Sequence, residues 1–240
     1  MQLEYFSRLS EPIKKFVQEV EAGANIEIQV IPDARLNAGG PAGQGNLEII
    51  IESHYARLFA PTNGYFPDGA VRHEMLHVKR FHIDGAPKLA LADEVAWDKR
   101  LSDALGDLDN AIEHIVIVPE ELQFHPERRS HWEAVMSNVC SELQSIPEGE
   151  RSLAGCLHWA FLRHVLPDSI HTESMKFFLE QYELLAIAEK FVEQFLSVLR
   201  SKEEMVRVLF HTFPDMPQNR SALEYINSVT GNRQMPIPKG

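Results

Sequence analysis

Two histidines and a glutamate occur at a spacing that suits metal chemistry, in the segment His73-Glu74-Met75-Leu76-His77. Residues four apart on an α-helix lie one turn apart on the same face, so both imidazoles can reach a single metal ion. Glu74 falls beside them, where its carboxylate can take a proton from water that zinc has acidified. The spacing therefore predicts zinc (Zn2+) as the cofactor, with His73 and His77 as ligands and Glu74 as the catalytic general base.

The residues around this segment favour a buried helix over a solvated one. Val71, Met75 and Val78 supply an apolar stripe, and imidazoles buried on such a helix need polar or metal partners. Chance is the competing explanation, because the chain contains 11 histidines. A motif of this kind arises by chance on the order of a few per cent of the time in such a chain. The apolar setting makes the metal site the preferred interpretation.

The motif resembles that of the zincin metallopeptidases, and within them the glutamate-zincin type, in which a later helix supplies a glutamate as third ligand. The resemblance covers roughly residues 25–121. It departs from the longer signature HExxHxxGxxH, since positions 80 to 83 read Arg-Phe-His-Ile. The resemblance implies a zinc ion, hydrolysis of a peptide bond in a peptide or protein substrate, and an edge strand beside the motif helix for an extended substrate.

A catalytic zinc needs a third protein ligand, with the fourth position left for water, and Glu113 and Glu94 are the candidates. Glu113 lies in the apolar segment 108–118, where a carboxylate buried without a partner would be costly and a metal ion would compensate. Glu94 has Asp98 one turn further on, which resembles a family arrangement in which an aspartate orients a histidine ligand. The alternative for Glu94 is an ordinary solvated face. Burial in this apolar segment favours Glu113 as the metal ligand.

His114 follows Glu113 directly, so its side chain points about 100° away on a helix and the two are awkward ligands for one ion. We therefore predict a catalytic role for His114, as a hydrogen-bond donor to the transition state. A ligand role in place of Glu113 is the fallback, and a satisfied core histidine is the alternative without chemistry. Six further histidines are assigned no chemistry, the first four of them expected on the surface or in loops: His54, His82, His125, His131, His158 and His164.

The elements that must position the motif are a small sheet and the start of the motif helix. Residues 25–30 and 47–51 read as two strands that could pair antiparallel, separated by the loop 37–45, which is rich in glycine and proline. A second turn-rich stretch, 61–69, contains Asp68 at a position where it could cap a helix that begins near Ala70.

The pattern after about residue 130 is helical. It predicts helices over 132–143, 153–165, 174–199, 205–210 and 222–229, with a loop at 147–150. We therefore expect an α+β fold with a zincin-like catalytic half, which has a small sheet and the HExxH helix, followed by an all-helical C-terminal half. The corresponding domains are residues 1–125, the metal-binding catalytic region, and residues 126–240, the helical region.

Composition restricts partners and compartment. The formal net charge of -12 argues against nucleic acid as a direct partner. The sequence contains neither a secretory signal pattern nor an apolar run of membrane-spanning length, so no membrane contact is expected. Cys140 and Cys156 lie in apolar helical patterns and read as buried free thiols, which fits a cytoplasmic protein.

The leading interpretation is a zinc metallopeptidase, or a related metal-dependent hydrolase, in which Glu74 activates water. A catalytically silent zincin-like module for binding or regulation is the alternative, with its helical half engaging a protein partner. In a third interpretation the motif is a coincidence in a helical interaction protein.

Overall fold

A computed structural model describes residues 1–40, 43, 45–227 and 229–238, and its fold is α+β. The predicted loop 37–45 thus lies partly outside the described residues, at positions 41, 42 and 44. The helices are α1 (Leu3–Phe6), α2 (Glu11–Ala24), α3 (Asp68–Val78), α4 (Lys99–Phe124), α5 (Arg129–Glu142), α6 (Glu148–Val165), α7 (His171–Gln181), α8 (Leu185–Leu196) and α9 (Lys202–Thr212). The strands are β1 (Glu27–Pro32), β2 (Glu48–Ile51), β3 (Tyr55–Ala60), β4 (Lys88–Leu91), β5 (Ser221–Tyr225) and β6 (Arg233–Pro236).

The chain divides into two compact units that interleave along the sequence. The first comprises Met1–Pro87, Glu120–His131 and Tyr225–Arg233, and the second comprises Lys88–Pro119, Trp132–Glu224 and Gln234–Gly240. This division differs from the predicted contiguous split after residue 125. Helix α4 begins in the second unit and its last residues belong to the first.

The sheet of the first unit has the order β1-β3-β2, so the predicted antiparallel pairing of β1 with β2 is wrong. Strand β3 lies between them, parallel to β1 and antiparallel to β2. Its alternating burial places Ala56, Leu58 and Ala60 in the core, which is the pattern of a strand with one buried face. Strand β3 was not predicted from the sequence, although it is as long as β1.

The two outer strands of this sheet differ in how their edges are covered. The side-chain amide of Gln2 bonds both the carbonyl (3.1 Å) and the N–H (2.8 Å) of Val30 on β1. The carboxylate of Glu21 accepts a further bond from the N–H of Ile28, at 3.0 Å. Side chains therefore occupy the outer edge of β1. Strand β2 forms the opposite edge, contacts α3 and exposes Ile50.

Helix α3 carries the motif and is buried along its whole length from Gly69 to Val78. Helix α2 packs against it, with Val17 and Val20 in the same core as Met75. Asp68 is the first residue of the helix, and its carboxylate accepts a hydrogen bond from the N–H of Ser10 at 3.2 Å. The prediction that Asp68 caps the helix is wrong, because Pro67 occupies the cap position.

The second unit is mainly helical but contains strands, so the expectation of an all-helical C-terminal half is wrong. The segment predicted as a helix over 222–229 contains β5, which pairs antiparallel with β4 in a sheet of order β4-β5-β6. The predicted long helix 174–199 is two helices, α7 and α8, since Glu183 between them adopts a left-handed backbone with φ of 58°. The predicted loop at 147–150 is mostly helical, because α6 begins at Glu148.

Both cysteines are free thiols, as predicted, with Cys156 buried and Cys140 half-buried. Across the residues that the structure describes, no helix combines the length and the apolar character that crossing a bilayer requires.

Candidate metal centre

His73 and His77 point their Nε2 atoms at each other across one turn of α3. These two atoms lie 3.3 Å apart, and both side chains are buried. Two nitrogens that ligate one tetrahedral zinc at about 2.0–2.1 Å are themselves about 3.3–3.4 Å apart. The same separation suits a hydrogen bond between one protonated and one unprotonated imidazole. The pair therefore fits zinc, and the predicted placement of both histidines on one helical face is confirmed.

Glu121, on the last turn of α4, orients His73. One of its carboxylate oxygens accepts a hydrogen bond from Nδ1 of His73 at 2.9 Å, and the other accepts one from Nε of Arg128 at 2.6 Å. Burial alone would raise the pKa of Glu121, but His73 and Arg128 together lower that pKa to about 2. A carboxylate on Nδ1 keeps the proton of the imidazole there, which leaves the Nε2 lone pair free to bind a metal ion.

Glu121 was not identified from the sequence. Its signal was its position seven residues after His114, because residues two helical turns apart lie on nearly the same face. Its hydrogen-bond partner His73 is 48 residues away in the chain, and no local pattern connects the two.

Glu74 is a buried carboxylate with an altered affinity for protons. Burial is the largest cause, and it raises the pKa of Glu74 to about 7. The charges of His73 and Arg128 lower this pKa, whereas Glu121 and Glu48 raise it further. A carboxyl group with a pKa near 7 can both accept and release a proton at neutral pH, as a general base must. The structure thus gives Glu74 an environment that suits its predicted role.

Glu113 is occupied by an ion pair, which overturns the reason for predicting it as a metal ligand. Its carboxylate is fully buried, and one oxygen lies 2.7 Å from Nζ of Lys202 on α9. The same Nζ lies 2.8 Å from Asp109, one turn earlier on α4. Burial raises the pKa of Asp109, and its other contacts include the N–H of Leu89 at 2.8 Å. A lysine supplies the compensation that the sequence argument assigned to zinc.

Glu94, the other carboxylate considered as a third ligand, is exposed in the turn between β4 and α4. It does not lie on a helix. Asp98 caps α4 by accepting a hydrogen bond from the N–H of Leu101 at 3.2 Å, and it pairs with Arg220 at 2.9 Å. The solvated alternative therefore describes Glu94, and Asp98 is engaged in capping α4.

His114 lies on α4 two turns before Glu121, on nearly the same face of the helix and about 10 Å away along its axis. Its ring packs edge-on against Trp132, with the ring centroids 5.0 Å apart. His114 belongs to the second unit, whereas His73 and His77 belong to the first. Glu113 is bonded to Lys202, and both roles considered for His114, transition-state donor and fallback ligand, stay predictions.

The remaining histidines lie mostly where they were expected. His54 is exposed, and His82 and His125 bond the Glu52 carbonyl and the Glu127 carboxylate. His131 differs, because it is half-buried in the first turn of α5. Burial, followed by the charge of Arg128, lowers the pKa of His131 to about 4.

Comparisons with protein-family models, with curated proteins and with solved structures found no match to this chain.

Proposed function

We propose that this chain is a zinc-dependent hydrolase that cleaves peptide bonds. One observation carries the proposal: the Nε2 atoms of His73 and His77 lie 3.3 Å apart, and Nδ1 of His73 is bonded to Glu121. His73 is hydrogen-bonded through Nδ1 and directs Nε2 at a second imidazole. This is the arrangement of a metal-binding histidine. Two histidines that only packed in the core would not need the buried carboxylate of Glu121 beside them.

His114 is the third ligand in this proposal, replacing Glu113. Three imidazoles with a water in the fourth position are a known ligand set of catalytic zinc. They bring no negative charge, so carboxylates outside the ligand set must balance the ion. Glu121 and Glu74 are buried carboxylates close to His73, because Glu121 is bonded to its Nδ1 and the charge of His73 lowers the pKa of Glu74. His114 is assigned this role because Glu113 is bonded to Lys202 and because an imidazole nitrogen is a suitable zinc ligand.

If His73 and His77 hold a zinc ion, the ion would supply a lowered pKa for bound water and polarisation of the substrate carbonyl group. Glu74 is the proton acceptor for the attacking water, because its pKa of about 7 lets it hold a proton in the neutral range. The same carboxyl group can then release that proton to the amine that leaves when the C–N bond breaks. Burial of α3 keeps bulk water away from Glu74, which strengthens every electrostatic interaction there.

An extended peptide is the substrate that best suits the sheet of the first unit. Side chains of Gln2 and Glu21 cover the β1 edge, whereas β2 lies at the opposite edge with Ile50 exposed. A peptide that adds to β2 gains main-chain hydrogen bonds without any particular side chain. Glu48, the first residue of β2, is close enough to affect the pKa of Glu74. A strand added there would run beside the proposed catalytic carboxylate.

The test compares the wild-type chain with Glu74→Gln in hydrolysis of an unfolded protein substrate, with new N-termini identified by mass spectrometry. We expect cleavage by the wild type and its loss in Glu74→Gln, with zinc content unchanged, because Glu74 transfers protons and does not bind zinc. Glu19→Gln is the matched control, since it removes an exposed carboxylate of α2 outside the motif helix. Wild-type protein that holds zinc but cleaves nothing would favour the silent binding module. Loss of zinc from Glu74→Gln would contradict the assigned role.

A further inference from the structure

Arg72, which precedes His73 on α3, is held between two aromatic rings. Its guanidinium carbon lies 4.3 Å from the ring centre of Phe16 and 3.8 Å from that of Phe124. The side chain is only 8% exposed, and its Nε atom is buried without a hydrogen-bond partner. Glu120 lies 3.7 Å away, which is an ion pair beyond hydrogen-bond distance. Ring stacking is therefore the main geometric restraint on this guanidinium.

The stacked arginine ties together three elements at the level of the metal centre. Phe16 belongs to α2, Arg72 to α3, and Phe124 to the last turn of α4. Glu121 stands on that same turn and bonds His73, the neighbour of Arg72. The end of α4 thus meets α3 at two adjacent points, one made by stacking and one by the hydrogen bond to His73.

The hydrogen bond between Glu121 and His73 depends on the stacking of Arg72 against Phe124, because a hydrogen bond tolerates little displacement. The Glu121 carboxylate lies 2.9 Å from Nδ1 of His73, and a shift of about 0.7 Å would take it to the limit of a hydrogen bond. A planar guanidinium between two rings fixes both the distance and the tilt of the turn that carries Phe124. A lysine at this position would keep the charge but could not stack as a plane.

We infer that Arg72 is a positioning residue, which fixes the last turn of α4 through Phe16 and Phe124 so that Glu121 stays bonded to Nδ1 of His73. This inference rests on the proposed function only where His73 is taken as a metal ligand. The hydrogen bond between His73 and Glu121 exists without metal, so it can be measured separately.

The test uses Arg72→Met and Phe124→Leu, which remove the guanidinium and one ring. Phe124→Tyr keeps the ring and serves as the conservative rescue variant. Arg57→Met is the matched control, because Arg57 also stacks on a ring, that of Tyr55 at 4.7 Å, but is exposed on β3. Nitrogen NMR of the imidazoles in chelator-treated protein reports whether His73 keeps its proton on Nδ1. The His73 signal is assigned by its absence in His73→Gln.

We expect Arg72→Met and Phe124→Leu to lose the fixed Nδ1–H form of His73 and to bind zinc roughly 10-fold more weakly, within the range seen when such carboxylate partners are removed. Phe124→Tyr and Arg57→Met should match the wild type in both measurements. A His73 signal and zinc affinity within twofold of wild type in both Arg72→Met and Phe124→Leu would overturn the inference. So would equal losses in Phe124→Tyr.

Two further outcomes keep the inference separate from the proposed function. If Arg72→Met fails to fold, the pair Phe124→Leu and Phe124→Tyr decides, because Phe124 is 56% exposed and tolerates substitution. If the wild type binds no zinc, the proposed function fails, and the NMR comparison still supports or overturns the role of Arg72.

Discussion

Nζ of Lys202 lies 2.7 Å from the carboxylate of Glu113, and both side chains are completely buried. Asp109 completes the cluster at 2.8 Å from the same nitrogen. A buried pair of this kind is weak evidence for stability by itself, but the loss of one partner leaves an uncompensated buried charge. The cluster therefore makes the second unit sensitive to substitution of Lys202.

Lys202→Met should lower the free energy of unfolding by about 3–5 kcal/mol, because two buried carboxylates lose their cation. Urea unfolding followed by circular dichroism measures this change. Lys99→Met is the control, since Lys99 pairs with Asp103 on the surface of α4, where such pairs contribute about 0.2–1 kcal/mol. A loss below 1 kcal/mol for Lys202→Met would show that the cluster is not formed as described.

Substitution of the three candidate ligands should rank them by metal affinity. His114→Ala should abolish tight zinc binding, because it removes a ligand and leaves two imidazoles. Glu113→Ala should lose less affinity, since its carboxylate is bonded to Lys202. Glu94→Ala should match the wild type, because Glu94 is exposed in a turn. Competition against a chromophoric chelator measures all three. If Glu113→Ala loses its zinc while a well-folded His114→Ala keeps it, the ligand assignment is wrong.

If the substrate binds as a strand added to β2, every second backbone nitrogen of the peptide should face β2 and donate a hydrogen bond. Adding a methyl group to a backbone nitrogen that faces β2 removes a ladder hydrogen bond and should raise KM by about 10-fold or more, since a lost hydrogen bond of about 1.4 kcal/mol corresponds to that factor. Methylation of the alternate nitrogens, which face away, should leave KM unchanged. A methyl scan with equal effects at neighbouring positions would contradict strand addition.

Acidification should destabilise the protein through His158 on α6. Burial lowers the pKa of His158 from 6.5 to about 4. Between these two pKa values His158 is protonated in the unfolded chain but not in the folded one. The free energy of unfolding is therefore highest above pH 6.5, and this contribution is lost as the pH falls towards 4. At pH 5 the free energy of unfolding should be lower by about 2 kcal/mol, as calculated from the difference between the two pKa values.

His158→Gln should remove that part of the pH dependence, measured by urea unfolding between pH 7.5 and 5. His54→Gln provides the comparison, because His54 is exposed. An unchanged pH dependence in His158→Gln would show that folding does not lower the pKa of this imidazole.

The local features of the site could be predicted from the sequence. The spacing of His73 and His77, with the apolar residues around them, predicted a buried helix with both imidazoles on one face, and α3 has these properties. Helical periodicity depends on residues within a few turns. The same local reasoning located β1 and β2, because their apolar patterns lie within single segments.

The partners of the buried groups could not be predicted, because they are distant in the chain. Lys202 is 89 residues from Glu113, and Glu121 is 48 residues from His73. Burial of Glu113 was inferred correctly, but its periodic setting did not indicate which cation would accompany it. Strand β5 was predicted as part of a helix, and what makes it a strand is its pairing with β4, which is distant in the chain.

Metal analysis of the wild-type chain, purified without chelator, tests the central claim most directly. We predict about one zinc ion per chain in the wild type and in Glu74→Gln, and none in His73→Ala, His77→Ala or His114→Ala variants that retain their helical content. A wild-type chain that contains no zinc, and takes up none when zinc is added back, would contradict the account.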